Sequence, residues 1–185
     1  MRCALDYLTG ASRPARLHEV TMALCSEILV QSGLQADDAT ARRSLQTALD
    51  SGRAAEVFMR MVVALGGPAD LITNPDSHLA VATKTIAVPA LRDGIVSAMD
   101  TRAIGMAVVG LGGGRLHAAD AIDFAVGLTG FVELGAAVRA GDPLALVHAQ
   151  NEDTAAFAVQ AIQQAIIIGD TAPDLPPAIY EAVRS

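Results

Sequence analysis

The sequence predicts an α+β chain, with a helical segment over residues 1 to 75 followed by a mixed module of strands and helices over residues 76 to 185. Three observations predict it. Apolar residues recur at three- and four-residue spacing through the first third of the chain. After Pro68 the texture changes, first to turn-forming residues and then to β-branched runs. Helical spacing then returns beyond the strands, from Asp153. The composition permits a packed fold: 185 residues, 52% hydrophobic and 18% charged, bury enough apolar surface to offset the entropy of ordering.

The elements follow in order. Met1 to Leu8 reads as the interior of a helix, with no polar leader and no capping residue ahead of it, as if the chain opened inside a longer structure. Leu17, Val20, Leu24 and Ile28 form one apolar stripe on a helix from Arg16 to Val30, closed by Ser32-Gly33. Asp37-Asp38 caps the next helix, with Leu45 and Leu49 on one face and Ser51-Gly52 at its end. A helix from Ala54 turns Val57, Phe58, Met61 and Leu65 inward and stops at Gly66-Gly67-Pro68. Residues 69 to 77 are turn-rich and mark the domain boundary.

In the second module Val81, Thr83, Thr85, Ile86 and Val88 suggest a strand ending at Pro89, and Gly94 to Met99 a second. Asp100-Thr101 caps a helix over Arg102 to Gly110. Ala125 to Leu128 and Gly130 to Val132 read as extended. Val138 to Pro143 is a turn, because glycine supplies a positive φ and proline fixes the next one. Leu144 to His148 is a buried strand. Ala156, Val159, Ile162 and Ile166 belong to a helix from Asp153 to Ile168, ended by Gly169. A proline-rich tail follows, with a short helical turn at Ile179 to Val183.

Charge and cysteine usage exclude several functions. The net charge is −7 and Lys84 is the sole lysine, so the clustered cations that displace counterions from nucleic acid are absent and no nucleic-acid partner is expected. The longest apolar run, Ala103 to Leu111, falls far short of the ~20 residues that span a bilayer, so no membrane partner is expected and the cytoplasm is the default compartment. Cys3 and Cys25 read as buried thiols on helices.

The candidate sites are sparse. Gly112-Gly113-Gly114-Arg115 can form a nest of N–H groups for phosphate, or a helix C-terminal loop needing positive φ; the second reading is preferred. It lacks the Gly-Lys-Ser/Thr of a P-loop and follows a helix rather than a strand, so neither nucleotide fingerprint fits. Asp100, Thr101 and Arg102 offer an acid, a hydroxyl and an anion-reading fork, but equally a capped helix start. Asp120 and Asp123, three apart, suit a shared helix face better than a Mg²⁺ or acid–base pair. His18, His78, His117 and His148 have no metal spacing, and His148 reads as a satisfied edge histidine. No Gly-x-Ser-x-Gly elbow occurs. No catalytic residue, metal site or cofactor is expected within the chain.

Several segments carry a resemblance. Pro14 to Cys25 (PARLHEVTMALC), Gly94 to Val109 with Gly112 to Arg115, Asp123 to Gly127 (DFAVG), and Gly141 to Ala149 (GDPLALVHA) together resemble, in order, the C-terminal part of thymidine phosphorylases of the pyrimidine-nucleoside phosphorylase family. The resemblance implies a pentosyltransferase acting on a pyrimidine nucleoside and phosphate. It implies a homodimeric parent, a missing N-terminal half that holds the phosphate- and base-reading residues, and a C-terminal α+β module with a hammerhead-like antiparallel sheet. No position here matches those binding residues. Two further readings compete: an interaction module docking on a separately encoded N-terminal half, and a biotinyl- or lipoyl-type carrier. The carrier needs a lysine at a hairpin tip, and Lys84 lies outside the hairpin-like Gly130 to His148. Helices without their sheet are expected to expose an adhesive face and to leave the chain self-associating or marginally stable.

Overall fold

The computed structural model describes residues 1–181. The described residues divide into two units, one built from Met1–Leu79 with the segment from Pro176 onward, the other from Ala80–Leu175.

The first unit is helical. Its elements are α1 (Arg2–Thr9), α2 (Ala15–Gln31), α3 (Asp38–Asp50) and α4 (Arg53–Ala64), followed by a 3₁₀ turn at Pro75–Ser77. No side chain caps α1 at Met1. The Asp37 carboxylate accepts the Thr40 N–H at 2.7 Å and starts α3, satisfying one of the donors a helix leaves open at its first turn. The core of this unit is small. Tyr7, Met22 and Leu49 are buried together, with Leu8, Leu45 and Ala54 packed beside them. Around it, Arg13 reaches the Tyr7 carbonyl at 3.0 Å and Asp50 at 2.7 Å. Arg42 bridges Glu19 and Asp38.

The apolar stripe of α2 is open to solvent at Leu17, Leu24 and Ile28, in line with the exposed face expected of helices without their sheet, whereas Met22 and Ser26 are its buried residues. The expectation for the next helix is corrected: on α4 no residue is buried, and Val57, Met61 and Leu65, expected to turn inward, are exposed. Periodicity locates an apolar face, but a face is buried when a neighbour meets it, and the short helices of this unit bury others. The cysteines depart from expectation as well: Cys3 is exposed and Cys25 half-buried, and both are free thiols.

The second unit holds two antiparallel three-stranded sheets. In the first, β5 (Pro143–Ala149) lies between β1 (Lys84–Pro89) and β3 (Gly127–Thr129). Register runs from Lys84 opposite Ala149 to Val88 opposite Ala145, and Gly127 stands opposite His148. In the second, β2 (Gly94–Met99) lies between β4 (Ala137–Val138) and β6 (Ile166–Gly169). Helices α5 (Thr101–Gly110) and α6 (Glu152–Ala165) pack on each other, and α6 also covers β1 and β5. Val88, Leu144, Val147 and Ile162 sit at the centre of this core, each essentially free of solvent. Ala155, Ala158, Ile162 and Ala165 form the buried stripe of α6, at the spacing that brings one helix face onto a sheet.

The final helix is shorter than expected. It ends at Ala165, and Ile166–Gly169 is a strand that pairs with β2, Ile95 facing Gly169 and Met99 facing Ile166. Three consecutive isoleucines favour the pleated, half-buried surface that β2 offers, and β-branching weighs against their continuing a helix. Gly94 makes the strand approach possible. Its φ is +154°, and a Cβ there would stand 2.6 Å from the Gly169 carbonyl oxygen. Thr129 ends β3, and the expected extension at Gly130 to Val132 keeps one ladder-like bond, Val132 N–H to the Leu144 carbonyl at 2.9 Å. The helical turn expected at Ile179 to Val183 falls partly outside the described residues; up to Glu181 the segment is not helical.

Candidate functional site

The glycine run begins where α5 ends. Gly112 has φ +93°, a left-handed conformation that glycine adopts without steric cost. Its N–H donates to the Val109 carbonyl at 2.9 Å, and the Gly113 N–H donates to Val108 at 3.0 Å. These bonds satisfy carbonyls that the end of α5 would leave open, as a helix C-cap does. A Cβ on Gly113 would meet Val108 Cγ1 at 2.9 Å, and one on Gly114 would meet Val109 Cγ2 at 2.8 Å. The run therefore folds back against its own helix, and the N–H groups of Gly112 and Gly113 are spent on protein carbonyls. Arg115 is exposed beyond it.

The loop that follows is held by two carboxylates. Asp120 Oδ2 accepts the N–H groups of Leu116 and His117 at 3.0 and 2.8 Å. Asp123 Oδ1 accepts the Ala125 N–H at 2.8 Å, its Oδ2 accepts the Gln150 amide at 2.8 Å, and its own N–H donates to the Gly112 carbonyl at 2.9 Å. The Ala125 N–H, with the Gln150 amide second, holds the Asp123 carboxyl below the usual carboxylate range. The expected shared helix face is corrected, because residues 111–126 form no helix and each aspartate closes its own turn. Short polar side chains that bond their own backbone favour turns over helix interiors.

The remaining candidates are dispersed. Asp100 caps α5 by accepting the Ala103 N–H at 2.9 Å, while Thr101 and Arg102 are exposed. His148 is on the central strand β5 rather than an edge. Thr129 Oγ1 lies 2.7 Å from its Nε2 and Thr85 Oγ1 3.3 Å from its Nδ1, so strands β1, β3 and β5 each supply one member of a cross-strand polar row. The alternation Lys84-Thr85-Ile86-Ala87-Val88 carried the signal for Thr85, but only the register reveals its partner. His18 Nδ1 meets the Tyr7 hydroxyl at 2.9 Å. His78 Nε2 lies 2.6 Å from Asp70, and this bond holds the Asp70 carboxyl below its ordinary range. His117 is exposed near Asp120.

Several of the described cations are paired with carboxylates. Lys84 pairs with Glu152 at 2.7 Å, Arg92 with Asp170 at 3.0 Å, Arg13 with Asp50 at 2.7 Å, and Arg42 with Glu19 at 3.0 Å. A groove of about 370 Å³ along α3 holds Arg43 and Arg53 among hydroxyls. Those hydroxyls serve the helix itself, since Thr47 donates to the Arg43 carbonyl at 2.8 Å and Thr40 Oγ1 accepts from Arg43 at 3.0 Å. No cluster of three or more His, Cys, Asp or Glu side chains fit to hold a metal occurs among the described residues. None of their helices is long and apolar enough to cross a membrane.

Comparison with known proteins places these elements. Residues 95–169 match the family described as the pyrimidine nucleoside phosphorylase C-terminal domain, a span from β2 through β6. The chain is 58% identical over 181 residues to a thymidine phosphorylase of Burkholderia cenocepacia, covering 98% of this chain and 41% of that protein. Thymidine phosphorylases of Burkholderia orbicola and Burkholderia lata match over the same share, at 56% and 58% identity. The chain thus spans about 41% of the length of the relatives it matches. Along nearly its whole length it is similar to the C-terminal part of thymidine phosphorylases, and its residues 95–169 match the pyrimidine nucleoside phosphorylase C-terminal domain.

Proposed function

We propose that this chain is the C-terminal structural part of a pentosyltransferase that converts thymidine and phosphate to thymine and 2-deoxyribose 1-phosphate, and that it is inactive alone. The identity of 56–58% to thymidine phosphorylases across 98% of the chain carries this reading. In the reaction the glycosidic C–N bond breaks and a phosphate oxygen bonds the sugar C1′. The base takes on negative charge while a dianion approaches, so catalysis requires converging cations and N–H donors. Among the described residues nothing supports such a constellation. Its glycine loop caps α5, and Lys84, Arg13, Arg42 and Arg92 are neutralised by carboxylates.

On this reading no residue here is catalytic, and Gly112, Gly113, Gly114 and Arg115 shape a loop rather than a binding site. Residues 1 to 75 are the helical remainder of a large α/β domain and residues 76 to 185 the C-terminal domain. Phosphate and nucleoside bind in the part of the enzyme not contained in this chain, and the assembled enzyme is a cytoplasmic homodimer. The purified chain, incubated with thymidine and phosphate and assayed by chromatography, is expected to release no thymine above the blank. Clear phosphorolysis would overturn the reading. A second reading, a non-catalytic module that docks on a separately encoded N-terminal half, is favoured by the solvent-exposed apolar face of α2.

A further inference from the structure

Thr40, Arg43, Ser44, Thr47 and Ser51 recur at three- and four-residue spacing, so they share one face of α3. The turn at Ser51-Gly52 brings Arg53, the first residue of α4, back to the same face. Together these six side chains supply the polar lining of the 370 Å³ hollow along α3, and no carboxylate lines it. That is a departure for a chain of net charge −7. Arg2, Arg13, Arg42, Arg92 and Lys84 each meet a carboxylate. Arg43 instead donates to the neutral Thr40 hydroxyl at 3.0 Å, and Arg53 makes no hydrogen bond or ion pair among the described residues. Asp37 feels the Arg43 charge, but its carboxylate accepts the Thr40 N–H at 2.7 Å to cap α3 and lies outside the hollow. Ser44 Oγ accepts the Gln35 amide at 3.2 Å, which leaves its own proton to donate.

We propose that this hollow binds a phosphate group, either free phosphate or that of a small sugar phosphate, through Arg43 and Arg53 with the Ser44 hydroxyl as a further donor. A planar guanidinium offers paired N–H groups whose spacing matches two phosphate oxygens. Two such cations also balance the charge of a phosphate monoester, about −1.5 to −2 at neutral pH. Neither arginine gives up a carboxylate partner when the anion arrives. A phosphate alone leaves much of the hollow empty, and small-ligand sites begin at about 300 Å³, so a sugar attached to it fits as well. Both guanidinium groups stay in water, so binding is in the about millimolar range and weakens as salt is added. The role assigned is binding alone, and it does not rest on the functional reading above.

The test titrates the full chain at low salt with inorganic phosphate and, separately, with ribose 5-phosphate, followed by phosphorus NMR and by the amide signals of residues 40–53. The variant Arg43→Ala/Arg53→Ala removes both guanidinium groups. Arg60→Ala and Arg115→Ala, exposed positions outside the hollow, are the controls. Expected are saturable binding by the wild type, at least fivefold weaker binding by the double variant, and no change in the controls. Should the double variant melt below the wild type, Arg53→Ala alone carries the test, because that side chain has no partner to lose; it is expected to bind at least twofold more weakly. Ribose 5-phosphate binding at least threefold tighter than phosphate assigns a sugar phosphate, and equal affinities assign the free anion; either result supports the site. The proposal is overturned if the arginine variants bind as the wild type does, or if the loss follows Arg60 or Arg115. It is equally overturned if phosphate does not saturate by about 50 mM, or if chloride at the same ionic strength shifts the same amides as far. None of these readings depends on nucleoside turnover, so they stand or fall apart from the proposed reaction.

Discussion

Gly112 and Arg115 separate a cap from an anion site. Gly112 sits at φ +93° with open space where a Cβ would go, so Gly112→Ala pays for the conformation alone, about 1 kcal/mol, read from urea denaturation. Arg115 is exposed, and Arg115→Ala is expected to stay within about 0.5 kcal/mol and to leave weak phosphate binding, measured by phosphorus NMR titration, unchanged. A distinct loss of phosphate binding would restore the anion reading. At Asp123 the sign of the pH dependence follows from its environment. The Ala125 N–H and the Gln150 amide hold its folded-state carboxyl below the ordinary value. Its contribution to stability is therefore full above the unfolded carboxylate pKa, about 3.9, and is lost as pH falls through the lower folded value. Melting followed from pH 6 to pH 2 should decline less steeply for Asp123→Asn; an identical decline would mean that these bonds do not favour the charged form.

Among the elements, α6 separates the two kinds of apolar stripe in this chain. Ile162 is fully buried between helix and sheet, and Ile162→Ala is expected to destabilise by about 3 kcal/mol through lost burial and the cavity left behind. Leu24→Ala on α2, where the side chain is 60% exposed, should cost less than about 0.5 kcal/mol in the isolated chain. Comparable losses at both positions would mean that α2 is covered in solution. Both stripes look alike in the sequence, since helical spacing reports that apolar residues share a side and is silent about what meets that side. The limits of helices were more legible. Asp37, Asp100 and the glycines after α3 and α5 set ends that the structure keeps, because capping is local chemistry between a side chain and the nearest amides. Asn151 also caps, accepting the Thr154 N–H at 2.9 Å. It went unread, with the helix start placed at Asp153 instead.

At the scale of the whole molecule, the two units differ in how much they bury. The α+β unit gathers Val88, Leu144, Val147 and Ile162 into one core, whereas the helical unit buries Tyr7, Met22 and Leu49 and leaves large apolar side chains on α2 and α4 in water. Exposed apolar surface of this kind promotes association. The isolated chain is expected to bind a hydrophobic dye and to sediment as concentration-dependent species, with hydrogen exchange faster in α2 and α4 than in β5 and α6. A compact monomer that excludes the dye and protects all four elements alike would show that the helical unit is complete by itself.

What the sequence by itself determined are the properties written in neighbouring residues: the α+β class, the caps, the turn at Gly141-Asp142-Pro143, and the strand at Gly94 to Met99. The likeness to thymidine phosphorylases was also legible, because several segments carry it in order. Only the tertiary structure decided that Ile166–Gly169 leaves its helix to pair with β2 and that His148 lies between two threonines on a central strand. Each of these depends on a partner distant in the chain. Local spacing fixes the conformation a segment prefers, while pairing and burial depend on which surface arrives to meet it.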